Sequence, residues 1–109
     1  MKVETVLIRG QLNFLGNSKS AFRGPIRRGL RSIVWYTQLN GKSTSSSIIS
    51  DIEIVEGESV KVDMVVLNQL QLEQPLIKGM VLNVGDTLHK FAEFIVEEHL
   101  GIWHGGKIP

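Results

Sequence analysis

The most constraining feature of this chain is a pair of alternating stretches facing each other across one glycine turn. In residues 48–55 apolar Ile52 and Ile54 alternate with Asp51 and Glu53, and Glu56-Gly57-Glu58 follows as a turn. Val60, Val62, Met64 and Val66 then continue the period of two against Lys61 and Asp63. Successive side chains of a strand point to opposite faces, so this pattern predicts a hairpin of two half-buried strands. A chain with such a hairpin, several further short strand-like runs and glycine-marked turns reads as one all-β domain.

The rest of the chain reads in the same way, with two exceptions. Residues 3–15 are rich in Val, Leu, Ile and Thr and predict a long first strand, bent at Gly10 where a missing side chain permits a bulge. Residues 16–29 are too polar and too broken by Gly16, Gly24, Pro25 and Gly29 for a regular element. Ile33, Val34, Trp35, Tyr36 and Thr37 form a β-branched and aromatic strand, with Trp35 and Tyr36 read as core and barrel surface, and Asn40-Gly41 supplies a turn. Met80 to Val84 predicts a short strand ending at Gly85-Asp86. The first exception is the serine-rich stretch 42–47, which fits a mobile loop or an exposed strand edge, with the loop favoured. The second is residues 87–100. Leu88, Phe91, Ala92, Ile95, Val96, His99 and Leu100 follow a helical template, capped by Asp86 or Thr87, while a strand bent around a barrel would bury Phe94, Ile95 and Val96 instead.

At 109 residues without cysteine, one core suffices, and neither a disulfide framework nor a thiolate metal site is possible. The N-terminal residues alternate like a strand and lack the apolar run of a signal peptide or membrane span, so a soluble cytoplasmic protein with no membrane partner is expected. Charge is unevenly distributed. Residues 1–50 hold eight Lys or Arg and only Glu4, whereas residues 51–109 hold four Lys and ten acids. Such asymmetry points to an anionic partner or to self-complementary halves, unless the fold brings the two halves together.

Three short motifs carry a family resemblance. Pro25-Ile-Arg-Arg-Gly29-Leu-Arg31 leading into the aromatic strand, Glu56-Gly57-Glu58-Ser59-Val60-Lys61-Val62, and Pro75-Leu-Ile with Gly79 occur in an order and spacing similar to the third, C-terminal domain of elongation factor Tu. The resemblance covers nearly all of residues 2–101. It implies an all-β fold, a closed six-stranded antiparallel Greek-key barrel over residues 1–101, with residues 102–109 as a C-terminal tail beyond the family's end. It also implies contacts with tRNA or with a protein of the translation apparatus. The chain departs from the family in two respects. No glycine-rich phosphate loop is present, so no nucleotide is expected to bind, and Thr87-Leu88-His89-Lys90-Phe91-Ala92-Glu93-Phe94 stands where the family has several glycines.

The candidate binding residues are Lys19, Arg23, Arg27, Arg28 and Arg31, five cations in thirteen residues, whose guanidinium groups suit phosphate or carboxylate. Only Phe22 interleaves with them, which disfavours stacking on single-stranded bases. His89, His99 and His104 match no metal or acid–base spacing, so neither cofactor nor catalysis is expected. Trp103 in the tail either caps the barrel or docks on a neighbour. The expected function is a stand-alone, non-catalytic binding module for a protein or a structured RNA. The rival is a structural protein that forms homo-oligomers by pairing its basic and acidic regions.

Overall fold

A computed structural model describes residues 2–36, 42–72, 74–86 and 89–109. Six strands, β1 (Val6–Phe14), β2 (Arg31–Trp35), β3 (Ser43–Ile49), β4 (Ser59–Val66), β5 (Val81–Gly85) and β6 (Lys90–Ile102), close into an antiparallel barrel in the order β1-β4-β3-β2-β5-β6. Strands β2, β3 and β4 are consecutive neighbours, and β1 lies beside β4, which is a Greek key. The expected architecture is therefore the observed one. Residues 15–30 cross one end of the barrel from β1 to β2. Residues 50–58 connect β3 to β4 at the same end, which carries Lys19, Arg23, Arg27 and Arg28, while Arg31 opens β2.

Alternation places Val6, Ile8, Leu12 and Phe14 of β1 and Val62, Met64 and Val66 of β4 in the core, with Leu82, Val84, Ala92, Phe94 and Val96 closing it. The second half of the expected hairpin is thus a strand with the expected face turned inward. Its first half is not. Residues 50–58 form a loop in which Ile54 is the one apolar side chain turned inward, through a single bridge to Ile26, while Ile52 and Val55 are 56% and 52% exposed. Alternation over a few residues is a property of the chain alone, whereas a strand needs a partner along its length, and that partner exists for residues 43–49.

The serine-rich stretch is accordingly a strand, not a loop. Ser46 and Ser47 are fully buried and Thr44 is nearly so. The Ser46 hydroxyl lies 2.8 Å from that of Ser32 on β2, and the Thr44 hydroxyl accepts from the Asn68 amide at 3.2 Å. Buried hydroxyls cost little once partnered, and β2 and β4 supply backbone partners on both sides. The Asn40-Gly41 turn and Thr37 lie outside the described residues.

Residues 90–102 are strand, so the helical periodicity is overruled. Three residues of β6, Phe91, Glu97 and Leu100, are extra relative to the neighbouring strands, at register shifts opposite Val84/Gly85, Arg9/Gly10 and Leu7/Ile8. Each bulge interrupts strict alternation, and the one at Phe91 sets it beside Ala92 with both buried, which imitates a helical spacing. Ala92, Phe94 and Val96 point into the core; Ile95 is only half-buried. Asp86 does accept from the backbone three residues on, His89 N at 2.9 Å, as a helix cap would, but the chain leaves that turn as a strand. Gly10 sits at one of the shifts, as the bend reading anticipated.

A regularity that the sequence reading did not identify links three strand entries. Arg27 to Leu30, Val55 to Glu58 and Ile77 to Met80 form the same turn, with the fourth residue's N–H donating to the first carbonyl at 3.0–3.1 Å. In each, the third residue is a glycine at φ +87° to +95°, the type II geometry that a β-carbon disfavours. In each, that glycine N–H donates to a neighbouring strand, at Ile48, Phe14 and Val96, and the next carbonyl accepts from the same residue. The residue three before the glycine, Ile26, Ile54 or Leu76, is buried. The spacing of Gly29, Gly57 and Gly79 from their strands thus has one physical origin.

At the opposite end, Tyr36 joins the core and donates its hydroxyl to the Pro75 carbonyl at 2.9 Å, so it is core rather than surface. Burial pushes its phenol pKa up to about 12 from an ordinary 10. The unfolded chain then loses this proton first, so stability is complete below pH 10 and falls between pH 10 and 12. The expected loss is roughly 2–3 kcal/mol at most. Urea unfolding of Tyr36→Phe at the same pH values checks this: the variant should give up about 1 kcal/mol at neutral pH for the lost hydrogen bond. It should also show a flatter profile above pH 10; an equally steep one would assign the titration elsewhere.

Candidate binding surface at the loop end

The five sequence-predicted cations do not form one patch. Arg27 Nε lies 2.8 Å from Glu53 Oε1, and Arg28 Nη1 lies 4.0 Å from Asp51 Oδ1. Arg23 folds back on its own loop, donating to the carbonyls of Asn17 and Ser18 at 3.0 Å and to that of Ser20. It therefore organises the loop rather than presenting a free charge. Arg31 stands apart at the start of β2, where Nη2 reaches the Ile108 carbonyl at 3.4 Å. Lys19 is exposed, and its backbone N–H donates to Asn17 Oδ1 at 2.9 Å.

The acids that meet Arg27 and Arg28 come from the loop misread as a strand. Within residues 15–30 stand Lys19, Arg23, Arg27 and Arg28, and within residues 50–58 stand Asp51, Glu53, Glu56 and Glu58, equal numbers of each sign. The basic first half and the acidic second half are thus brought together at this end. The ion pairs are weak holds, however. The side chains of Arg27 and Glu53 are 67% and 58% exposed, and pairs so open to water contribute at most about 1 kcal/mol. Arg27 and Arg28 can exchange these carboxylates for a partner's at little cost.

Both loops are anchored from below. Phe22, the one aromatic among the cations, turns inward and stacks on Phe14 and Phe91, with ring centroids 5.8 and 4.7 Å away. It is therefore unavailable to stack on a base. Ser20, buried in the same loop, donates its hydroxyl to Asp86 at 2.6 Å, and His89 Nδ1 lies 3.8 Å from the other carboxylate oxygen. The three residues resemble a hydrolytic set only by type: the serine donates to the acid and not to the histidine, which is not the order of a catalytic triad. His99 bonds Gln69 at 3.0 Å and accepts from the Gly101 N–H, and His104 lies in the tail. Among the described residues no group of three or more His, Asp or Glu is placed to hold a metal.

Sequence reasoning passed over the apolar part of this surface. Leu15, Ile52 and Val55, all in the two loops, are 53%, 56% and 52% exposed. The residues Arg27, Arg28, Ser50, Asp51, Ile52 and Glu53 line one open depression, and Leu15, Gly16, Asn17, Ser18, Arg23 and Glu56 line another. The signal was present in the alternation of residues 52–55, but it was assigned to a buried face. Compared with models of known protein families and with curated proteins, the chain matches no family model and no curated protein sequence.

Proposed function

We propose that this protein is a non-catalytic binding module of the cytoplasm whose loop end docks on a protein partner, and that its barrel is akin to the third domain of elongation factor Tu. The observation that carries the reading is the composition of the loop end: interleaved cations and acids of equal number around exposed Leu15, Ile52 and Val55. A surface for nucleic acid would hold an excess of unpaired cations and aromatics free to stack, whereas protein interfaces combine an apolar centre with paired charges at the rim. The order and spacing of the Pro25, Gly29, Gly57, Pro75 and Gly79 motifs, together with a Greek-key barrel, support the link to the translation apparatus. No helix among the described residues is long and apolar enough to cross a membrane.

A photo-crosslinking residue at Ile52, with a control at Gln11 on the barrel wall, tests this in the native cell. The expected result is a protein adduct at residue 52, absent at residue 11, that fades when Arg27 and Arg28 are both changed to Ala, because removing rim charges slows association. An RNA adduct that is lost steeply with salt would replace the reading with phosphate recognition. Self-association is the second reading, since a surface alternating in charge is self-complementary about a two-fold axis. It predicts that the adduct is a second copy of this chain and that sedimentation shows a dimer lost in the same double variant.

A further inference from the structure

Two outward-facing residues on the barrel wall are buried. Val65 on β4 alternates with the core residues Met64 and Val66, and Ser47 on β3 is its ladder partner, so both side chains point away from the core. Each is 0% exposed. The chain after β6 bonds residues on both sides of this stretch. Trp103 extends the β1 pairing by donating its N–H to the Thr5 carbonyl at 2.9 Å, and its indole donates to the Gly106 carbonyl at 3.0 Å, closing a turn. The following residues cross the wall to its far side. There the Ser47 hydroxyl donates to a main-chain oxygen of Pro109 at 2.6 Å and Arg31 Nη2 to the Ile108 carbonyl. A β-carbon on Gly29 would stand 3.2 Å from Pro109, so the bare glycine leaves room for it.

We propose that the wall formed by Gly29, Arg31, Ser47 and Val65 is a binding site for an extended peptide bearing an aliphatic residue followed by proline, with the chain's own Ile108 and Pro109 seated in it as an exchangeable ligand. The site offers two side-chain donors to successive main-chain oxygens, and among the described residues the Ile108 N–H engages no acceptor there. Proline, which has no N–H, loses nothing there. The seat is specific on the receptor side as well. Ser47 is a fully buried hydroxyl outside the core whose partner in this structure is the tail, and a buried hydroxyl left without one is costly. The tail is held by few bonds across the wall and turns at Gly105 and Gly106, so a competing segment needs to displace little. This site is distinct from the loop-end surface and does not depend on it.

The test uses the full chain and a synthetic amidated peptide of residues 103–109, followed by the backbone amide resonances of Ser47 and Val65. The wild type should show saturable shifts at both residues at millimolar peptide. Ile108→Asp, which weakens the resident tail, should bind about tenfold more tightly, because the apparent affinity of the wild type is reduced by the fraction of open seats. In the Ile108→Asp background, where the resident tail is already weakened, adding Ser47→Ala should weaken binding about three- to tenfold. Should Ile108→Asp lose its barrel, the wild-type titration decides alone. The proposal is overturned if Ser47 and Val65 do not respond, if a peptide with Ile108 and Pro109 both replaced by Ser binds equally well, or if the wall is instead filled by a second copy, seen as a dimer that free peptide does not compete.

Discussion

Gly10→Ala should destabilise the barrel by about 3 kcal/mol or more, out of proportion to one added methyl group. A β-carbon at this position would overlap the Ile95 carbonyl oxygen of β6 and stand 2.9 Å from the Phe94 ring. The first obstacle is backbone, in a strand hydrogen-bonded on both sides, so no rotamer change relieves it. Gly10 faces the core where β1 and β6 approach across a bulge, and the missing side chain lets the sheet curl enough to close. The neighbouring Gln11→Ala, on an exposed outward position, should change stability by less than about 0.5 kcal/mol. Urea unfolding of the two variants decides it. A Gly10→Ala loss below about 1 kcal/mol would mean that β6 can move away and that closure is not set at this point.

The second large effect separates the two readings of residues 87–100. On the helical template Phe94 lies off the apolar stripe and Ile95 lies on it. In the barrel Phe94 is 0% exposed, paired in register with Leu12 and Leu82, and Ile95 faces outward. Phe94→Ala should therefore cost about 3–5 kcal/mol through lost burial and a central cavity. Ile95→Ala should cost under about 1.5 kcal/mol, since part of that side chain is already in water. Thermal or urea unfolding gives both numbers, and a reversed order would restore the helix.

What the sequence determined by itself was local. The alternation of Val60, Val62, Met64 and Val66 orients β4 because period two is a property of adjacent residues. The glycines at 29, 57 and 79 mark strand entries because positive φ is a requirement of the turn itself. Gly10 marked the bend for a similar reason. What only the tertiary structure decided was everything that depends on a partner far along the chain. Ser46 is tolerable in a buried strand because Ser32 is opposite it, and no reading of residues 42–47 contains that fact. Residues 52–55 alternate like a strand yet lack a neighbour, so Ile52 is left exposed while Ile54 seals the end against Ile26. The bulges of β6 exist only relative to β1 and β5, and without those strands their spacing is indistinguishable from a helix. The arginines of residues 23–31 were legible as cations, but whether a cation is free depends on where acids fold. Asp51 and Glu53, more than twenty residues away, meet Arg27 and Arg28, and the tail carbonyl of Ile108 meets Arg31 from the other end of the chain.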